Sequence, residues 1–268
     1  MDLEKICNRV VEIARETGRF VKETRENGDL SVEVKGRNDF VTRVDKMSQD
    51  RIVSALEGLV PGAGFILEEE DATKHKGKEY NWIVDPIDGT TNFIHGAPPH
   101  AVSIALAQGD ELILGVVYEI VMDEAFSAWK GGGTRLNGKK VTVSSTGKVA
   151  DSLVATGFPY NDFSYLDPFM ETMDYFMKNS HGIRRLGSAA TDLAYVSCGR
   201  YDSFYEYGLH AWDVAAGVVL IREAGGRVSD FKGGNDFLFG GNIVAANGSL
   251  FDEMFEIINR IMEKGERD

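Results

Sequence analysis

The stretch that decides the fold runs from Trp82 to Phe93 and reads WIVDPIDGTTNF. Its first three residues form a short apolar run with β-branched members, which favours a strand buried in a sheet. Asp85-Pro86 and Asp88-Gly89 follow, and both pairs favour turns because proline fixes φ and glycine tolerates positive φ. The pattern therefore predicts a buried strand whose end carries two carboxylates.

Thr90 and Thr91 come next, and threonine favours the N-cap position of a helix. A helix that begins here presents backbone N–H groups beside the two carboxylates, and such groups bind anions. Carboxylate oxygens are ligands for hard cations such as Mg²⁺. The first hypothesis is therefore a metal ion beside a phosphate group. The same spacing also fits a capped strand–turn–helix with its acids in solvent, and spacing alone leaves both interpretations open.

The composition is that of an acidic globular protein. The chain has 268 residues, a net charge of −13 and 43% hydrophobic residues, which is ample for a sizeable core. The negative charge disfavours non-specific binding to nucleic acids or anionic membranes, and no apolar segment is long enough to predict a membrane span. The N-terminus lacks the pattern of a signal peptide, so we expect a cytoplasmic protein. Cys7 and Cys198 are expected to be buried free thiols.

Hydrophobic periodicity predicts an alternation of helices and strands without a strict βαβ rhythm. Helices are predicted over residues 2–26, 44–58, 168–178, 189–198, 211–224 and 250–263. Strands are predicted over residues 65–67, 82–84, 101–107, 112–119, 124–129, 141–143, 153–155, 183–186, 201–207, 226–229 and 243–246, with a hairpin over 31–44. This order indicates a layered α+β fold in two tightly joined halves, residues 1–148 and 149–268.

Further acids occupy strand ends and helix starts. Glu68 and Glu69 follow a short apolar strand, Asp45 follows another, and Asp213 lies in the apolar stretch WDVAAG. Burying an unpaired charge is costly, so an acid in an apolar stretch indicates a cation or hydrogen-bond donors beside it. Two simpler interpretations stay open: Asp213 also fits a first-turn acid favoured by the helix dipole, and residues 68–71 also fit a solvated charge run.

Three of these segments together resemble the signatures of the inositol monophosphatase family: FILEEE (65–70), WIVDPIDGTTNF (82–93) and WDVAAG (212–217). Residues 187–213 are also similar to the substrate-binding half of that family. The resemblance implies a layered αβαβα sandwich of the inositol monophosphatase and fructose-1,6-bisphosphatase type. Leu67 departs from the small residue that many members have before the paired glutamates, which puts only the local backbone shape in question.

The resemblance implies two or three Mg²⁺ ions. One would be bound by Glu68, Asp85 and the carbonyl oxygen of Ile87, and a second by Asp85, Asp88 and Asp213. A third, weaker ion would lie near Glu68. The N-terminal half thus carries most of the metal ligands, and Asp213 comes from the C-terminal half.

The resemblance also assigns catalytic and substrate-binding roles. Asp45, Glu68 and Thr90 would be catalytic, with Thr90 and Asp45 orienting or deprotonating the attacking water, and Glu69 would lie behind the ligands. The residues expected to bind substrate are Asp88, Gly89, Thr90, Gly187, Ser188, Ala189, Glu206 and Asp213. Glu206 also fits an exposed strand-end acid.

The expected activity is Mg²⁺-dependent hydrolysis of myo-inositol 1-phosphate or related small polyol and sugar phosphates, by a homodimer sensitive to lithium. The alternatives are fructose-1,6-bisphosphatase activity, alone or in addition, and a non-catalytic or RNA-associated regulator on the same fold. A nucleotide-directed phosphatase fits less well, because that branch has Lys-Glu where this chain has Thr91-Asn92. Arg184 and Arg185 fit either a second-phosphate site or an ordinary surface, and Lys35 fits either a place near the metals or a surface lysine.

Overall fold

A computed structural model describes residues 1–28, 32–36, 39–69, 76–159 and 162–263, with only the backbone described between 32 and 42. The first half contains α1 (Leu3–Glu26), β1 (Val32–Gly36), β2 (Asp39–Thr42), α2 (Arg43–Leu56), β3 (Gly64–Leu67), β4 (Tyr80–Asp88), α3 (Thr90–His95), β5 (Ala101–Gln108), β6 (Glu111–Glu119), β7 (Glu124–Trp129), β8 (Arg135–Leu136) and β9 (Lys139–Lys140). The second contains β10 (Leu153–Thr156), α4 (Leu166–Asn179), β11 (Gly182–Arg184), α5 (Ala189–Ser197), β12 (Ser203–Tyr207), α6 (Ala211–Glu223), β13 (Gly226–Ser229), β14 (Asn242–Asn247) and α7 (Phe251–Met262).

Two mixed sheets and three helix layers form the molecule. The larger sheet has the order β3-β4-β5-β6-β7-β8-β9, and the smaller has the order β11-β10-β12-β14-β13. Helices α1 and α2 cover one face of the larger sheet, α5 and α6 lie between the sheets, and α4 and α7 cover the far face of the smaller sheet. The predicted αβαβα sandwich is therefore confirmed.

The central helix α6 is apolar on every side because it contacts both sheets. Residues 214–221 are all buried, and small side chains at Ala215, Ala216 and Gly217 allow close approach of the neighbouring layers. A Cβ at Gly115 on β6 would lie 2.5 Å from the carbonyl oxygen of Ala216. The helix that carries Asp213 is thus fixed by packing from both sides.

Most predicted elements occur within a few residues of their expected bounds, and the hairpin over 31–44 is present as antiparallel β1 and β2. The strand predicted over 141–143 is wrong. A small hairpin precedes it instead, with Asn137 (φ 48°) and Gly138 (φ 79°) between β8 and β9.

The side chain of Lys35 lies outside the described residues. Of the cysteines, Cys7 is buried but Cys198 is only half-buried, so that expectation is corrected.

In the described ranges, no helix has both the length and the apolar character that crossing a bilayer requires.

Candidate functional site

Strand β4 runs from Tyr80 to Asp88, so it extends beyond the strand predicted over 82–84, and the turn predicted at Asp85-Pro86 is wrong. Asp85 pairs with Ser103 and Asp88 pairs with Ala101, with a bulge between the two acids. Pro86 has no N–H to give to the ladder, which favours a bulge at this point. Residues three apart on a regular strand face opposite sides of the sheet. The bulge removes that alternation and brings both carboxylates to one cavity.

Glu68 reaches the same place because β3 and β4 are parallel neighbours. Leu67 pairs with Val84, so Glu68 and Asp85 follow side by side at the same edge of the sheet. The backbone N–H of Glu69 donates to Oε1 of Gln49 at 3.0 Å. The side chains of Glu68 and Glu69 are both half-buried. The interpretation of these residues as part of a fully solvated charge run is therefore wrong.

Asp213 enters the cavity from the first turn of α6. Its Oδ2 accepts a hydrogen bond from the backbone N–H of His210 at 2.6 Å. Carboxylate oxygens of Asp85, Asp88 and Asp213 all lie within 4.8 Å of one another. Asp85 is 2% exposed and Asp213 is 9% exposed, so the interpretation with the acids in solvent is wrong.

The electrostatics of this cluster favour a bound cation. Burial raises the pKa of Asp85 well above its usual range, and the charges of Glu68, Asp88 and Asp213 raise it further. Burial and then the charge of Asp213 raise the pKa of Asp88 to about 7, although hydrogen bonds from Ser188, Ala190 and Ala189 oppose the rise. Burial raises the pKa of Asp213 to about 7. Buried oxygens that repel one another at this spacing match the ligand set that a divalent cation requires.

Gly89 is the N-cap residue of the six-residue helix α3, so the N-cap prediction for Thr90 and Thr91 is wrong. Gly89 has φ 90°, and a Cβ there would lie 3.1 Å from the carbonyl oxygens of Gly187 and Pro99. Only glycine fits this crowded left-handed position. The tight turn brings Thr90 directly after the acid pair.

The Thr90 hydroxyl lies 3.2 Å from Oδ1 of Asp45 and 3.1 Å from the carbonyl oxygen of Ile87. Asp45 is fully buried in the first turn of α2. The predicted Thr90–Asp45 pair is therefore present. Ile87 also donates its N–H to Oδ1 of Asp85 at 2.9 Å, which holds that carboxylate in place.

The second half of the chain forms the opposite wall. Ser188 is the N-cap of α5, and its hydroxyl and the N–H of Ala190 donate to Oδ2 of Asp88. Glu206, at the end of β12, is 7% exposed, so the exposed strand-end interpretation is wrong. Burial and then the charge of Asp213 raise the pKa of Glu206 well above its usual range.

These walls enclose a cavity of about 360 Å³. Its lining residues are Glu68, Asp85, Ile87, Asp88, Gly89, Thr90, Thr91, Arg185, Gly187, Ser188, Ala189, Glu206, Leu209 and Asp213. Every predicted site residue lies on this wall except Asp45, which contacts the wall through Thr90.

Two residues matter more than the sequence indicates. The Asn92 amide donates to the carbonyl oxygens of Pro99 and Leu186, both at 2.8 Å, and so ties α3 to the segment before Gly187. Its position inside the 82–93 stretch was the available signal. Arg185 lines the cavity, whereas Arg184 donates to the adjacent Ile183 carbonyl.

Comparisons with known proteins test the family resemblance. The profile of the inositol monophosphatase family matches residues 2–263. A relative from Mesorhizobium japonicum named inositol-1-monophosphatase is 42% identical over 260 residues, covering 97% of this chain and 95% of the relative. A Pseudomonas aeruginosa relative named Nus factor SuhB is 41% identical over 261 residues, covering 96% of each.

Among solved structures, the extragenic suppressor protein suhB from Bartonella henselae has a TM-score of 0.89 at 38% identity, covering 96% of this chain and 99% of that one. The family resemblance inferred from the three signatures is thereby confirmed. The chain belongs to the inositol monophosphatase family, a family of metal-dependent phosphatases that act on small phosphorylated substrates.

Proposed function

We propose that this protein is a cytoplasmic, Mg²⁺-dependent phosphomonoesterase that hydrolyses myo-inositol 1-phosphate and related sugar phosphates. The observation that carries the proposal is the cluster of Asp85, Asp88 and Asp213, whose oxygens lie within 4.8 Å of one another in a cavity of substrate size. The Mesorhizobium relative named inositol-1-monophosphatase supports the choice of substrate.

The residues that would hold two or three Mg²⁺ ions are Glu68, Asp85, the carbonyl oxygen of Ile87, Asp88 and Asp213. Bound Mg²⁺ supplies a water of lowered pKa and offsets negative charge on the leaving oxygen. Three of the four acids are held by backbone donors, since Ile87 donates to Asp85, Ala190 donates to Asp88 and His210 donates to Asp213.

The protein's own groups position the reactants. The Thr90 hydroxyl, donating to Asp45, has lone pairs free to accept a hydrogen bond from the attacking water. The N–H groups of Gly89 and Thr90 face the phosphate oxygens. Across the cavity, Glu206 accepts hydrogen bonds from substrate hydroxyls, and the 187–189 segment contacts the ring.

A second candidate is a regulatory role without catalysis, which the relative named Nus factor SuhB favours. The net charge of −13 disfavours direct RNA binding. A buried acid cluster with raised pKa values is costly for a protein that binds no metal, so catalysis is the better supported role.

We also propose that the protein is a homodimer. Light scattering of the purified protein measures its mass in solution and tests this proposal.

The test is phosphate release from myo-inositol 1-phosphate with Mg²⁺ and with excess chelator. We expect activity only with Mg²⁺, and we expect Asp88→Asn to lower turnover by about 100-fold or more, because it removes the negative charge of a metal ligand. The exposed Asp151→Asn is the matched control and should keep full activity. Full activity in chelator, or wild-type turnover by Asp88→Asn, contradicts the proposal. Mg²⁺ binding without phosphate release from any phosphomonoester favours the regulatory role.

A further inference from the structure

A second cavity lies on the outer side of the smaller sheet. Its volume is about 350 Å³, compared with about 360 Å³ for the cavity that holds the acid cluster. It is formed by the end of β12, the start of β14, the loop after β13, the segment before α4 and the end of α7. Among the described residues, none lines both cavities. The proposed phosphatase function therefore leaves this second cavity without a role.

Strand β12 separates the two cavities. Neighbouring residues on a strand face opposite sides of the sheet. Glu206 accordingly lines the acid cavity, and the next residue, Tyr207, lines the second cavity. Tyr207 pairs with Asn242 on β14, and Asn242 lines the second cavity as well. A ligand bound there contacts the reverse face of the strand that carries Glu206.

The walls of the second cavity are rich in aromatic side chains. Tyr165, Tyr207 and Phe231 each contribute a ring. The Tyr165 and Tyr207 ring centroids lie 5.8 Å apart in an edge-to-face contact, and Phe169 packs against Tyr207 at 5.6 Å. Such walls favour a flat, aromatic ligand, and the volume is within the range of about 300–1,000 Å³ that is usual for small-molecule sites.

The Tyr207 hydroxyl is the unpaired polar group of this wall. Tyr207 is 6% exposed, and its hydroxyl has no hydrogen-bond partner among the described residues. Asn242 beside it is paired, since it accepts from the Phe231 N–H at 2.7 Å and donates to the Gly240 carbonyl at 3.2 Å. A buried hydroxyl without a partner is costly, so a ligand that supplies one gains affinity.

This hydroxyl is a donor at neutral pH. Burial and then the charge of Asp162 raise the pKa of Tyr207 to about 12, so the hydroxyl keeps its proton. The matching group on a ligand is therefore a hydrogen-bond acceptor, such as a hydroxyl oxygen.

The charges around the second cavity favour a cation over an anion. The carboxylates of Asp162 and Glu263 and the ammonium group of Lys232 line it, so the acids outnumber the base. The faces of aromatic rings also attract cations. This preference is the opposite of that proposed for the acid cavity, where bound metal ions would attract a phosphate.

We propose that the second cavity binds a small aromatic amine that carries a hydroxyl group. The ligand ring packs against Tyr165 and Phe231, and its oxygen accepts a hydrogen bond from Tyr207. Its ammonium group lies near the carboxylates of Asp162 and Glu263. The inference does not depend on the proposed phosphatase function, because no residue of the acid cavity takes part.

The test uses three probes that share one ring and chain length: tyramine, phenethylamine, which lacks the hydroxyl, and phloretate, which has a carboxylate in place of the ammonium group. Ligand-observed NMR titration of the full chain measures each affinity. We expect tyramine to bind more tightly than either of the other two. Tyr207→Phe should weaken tyramine binding by about 3- to 10-fold, because one hydrogen bond is lost, and should change phenethylamine binding by less than about 2-fold. Tyr175→Phe, on α4 outside the cavity, is the matched control and should change neither affinity.

Two further measurements locate the site and test its charge preference. Tyramine should shift the backbone amide resonances of Gly208 and Gly241, which line the second cavity, and not that of Gly89 in the acid cavity. The double variant Asp162→Asn, Glu263→Gln should weaken tyramine binding without weakening phloretate binding.

The inference is overturned by equal affinity of wild type and Tyr207→Phe for tyramine, or by phloretate binding as tightly as tyramine. Tyramine shifts confined to the acid cavity overturn it too, as does the absence of any binding up to about 10 mM tyramine, since a ligand of this size that fits should bind in that range.

Discussion

Asp192 is a buried acid that does not line the cavity. It lies on α5, is 1% exposed, and neither carboxylate oxygen accepts a hydrogen bond from the described residues. Burial raises its pKa well above the usual range, and the charges of Glu206 and Asp88 raise it further, while Arg185 opposes the rise. The folded protein therefore holds Asp192 in its protonated form at a pH where the unfolded chain ionises it.

Replacing this acid by its isosteric amide, Asp192→Asn, is expected to stabilise the protein increasingly as the pH rises. An acid whose pKa is raised on folding contributes stability below its unfolded pKa, near 3.8, and that contribution is lost as the pH rises towards the folded pKa. Each unit of difference between the folded and unfolded pKa corresponds to about 1.4 kcal/mol in the free energy of unfolding. Asparagine does not ionise, so the variant does not lose this stability. Urea unfolding of wild type and variant in the presence of chelator, at about pH 5 and pH 8, measures the stability difference at each pH.

The exposed Asp151→Asn is the control and should show the same stability difference from wild type at both pH values. A stability gain for Asp192→Asn that is equal at the two pH values contradicts the assignment of a raised pKa.

At the residue scale, the sequence indicates the role of a residue when its neighbours in the chain already make that role visible. Asp85, Asp88 and Asp213 stood out because acids in apolar stretches need partners. Arg185 and Asn92 were harder to interpret, because their partners are Phe158 in one case and the carbonyls of Pro99 and Leu186 in the other. Only the folded chain brings these partners together.

At the element scale, the close contact of α5 with α6 decides how the substrate wall is held. A Cβ at Gly217 would lie 2.5 Å from Cβ of Leu193. Neither atom can move by changing a rotamer, so any side chain at Gly217 must push the helices apart. The wall formed by residues 187–189 leads directly into α5 and moves with it.

We therefore expect Gly217→Ala to destabilise the protein, although alanine favours a helix. Helix propensity contributes about 1 kcal/mol in favour of alanine, whereas overpacking costs about 1–3 kcal/mol. The expected net effect is a loss of up to about 2 kcal/mol in the free energy of unfolding, with a raised KM. Thermal unfolding and phosphate-release kinetics measure both. Gly147→Ala, which meets nothing within 4 Å, is the control, and equal stability of the two variants contradicts this account.

The sequence predicts element types well where hydrophobic periodicity is strong, as in α1 and α7. It predicts them less well where the turn preference of a few residues conflicts with their pairing in the fold. The pair Asp85-Pro86 favours a turn, but β5 on one side continues the ladder past the bulge and keeps Asp88 in the strand. Tertiary pairing outweighs local turn preference there. No local signal in the 82–93 stretch shows where the neighbouring strand ends.

At the scale of the whole molecule, the layer order came from the family resemblance, since periodicity alone predicted only a layered α+β fold. The all-round apolar character of α6 indicates burial, but it does not show that a sheet from each half lies on either side. That arrangement is set by contacts between distant segments: Ile83 and Val117 of the larger sheet pack in one cluster with Ala216 and Leu220 of α6.

We propose that residues 1–148 and 149–268 are two halves that fold only together. Each half supplies one sheet, but α5 and α6 of the second half cover the inner face of the first sheet, so residues 1–148 alone would expose Phe126 and its neighbours in that cluster. We expect calorimetry to give one unfolding transition for the full chain and none for either fragment, and co-expression of both to restore the transition. Fragment 1–148 also lacks Asp213, so it should bind divalent cations far more weakly. A cooperative transition in fragment 1–148 alone would show that its sheet is stable without the helices of the other half.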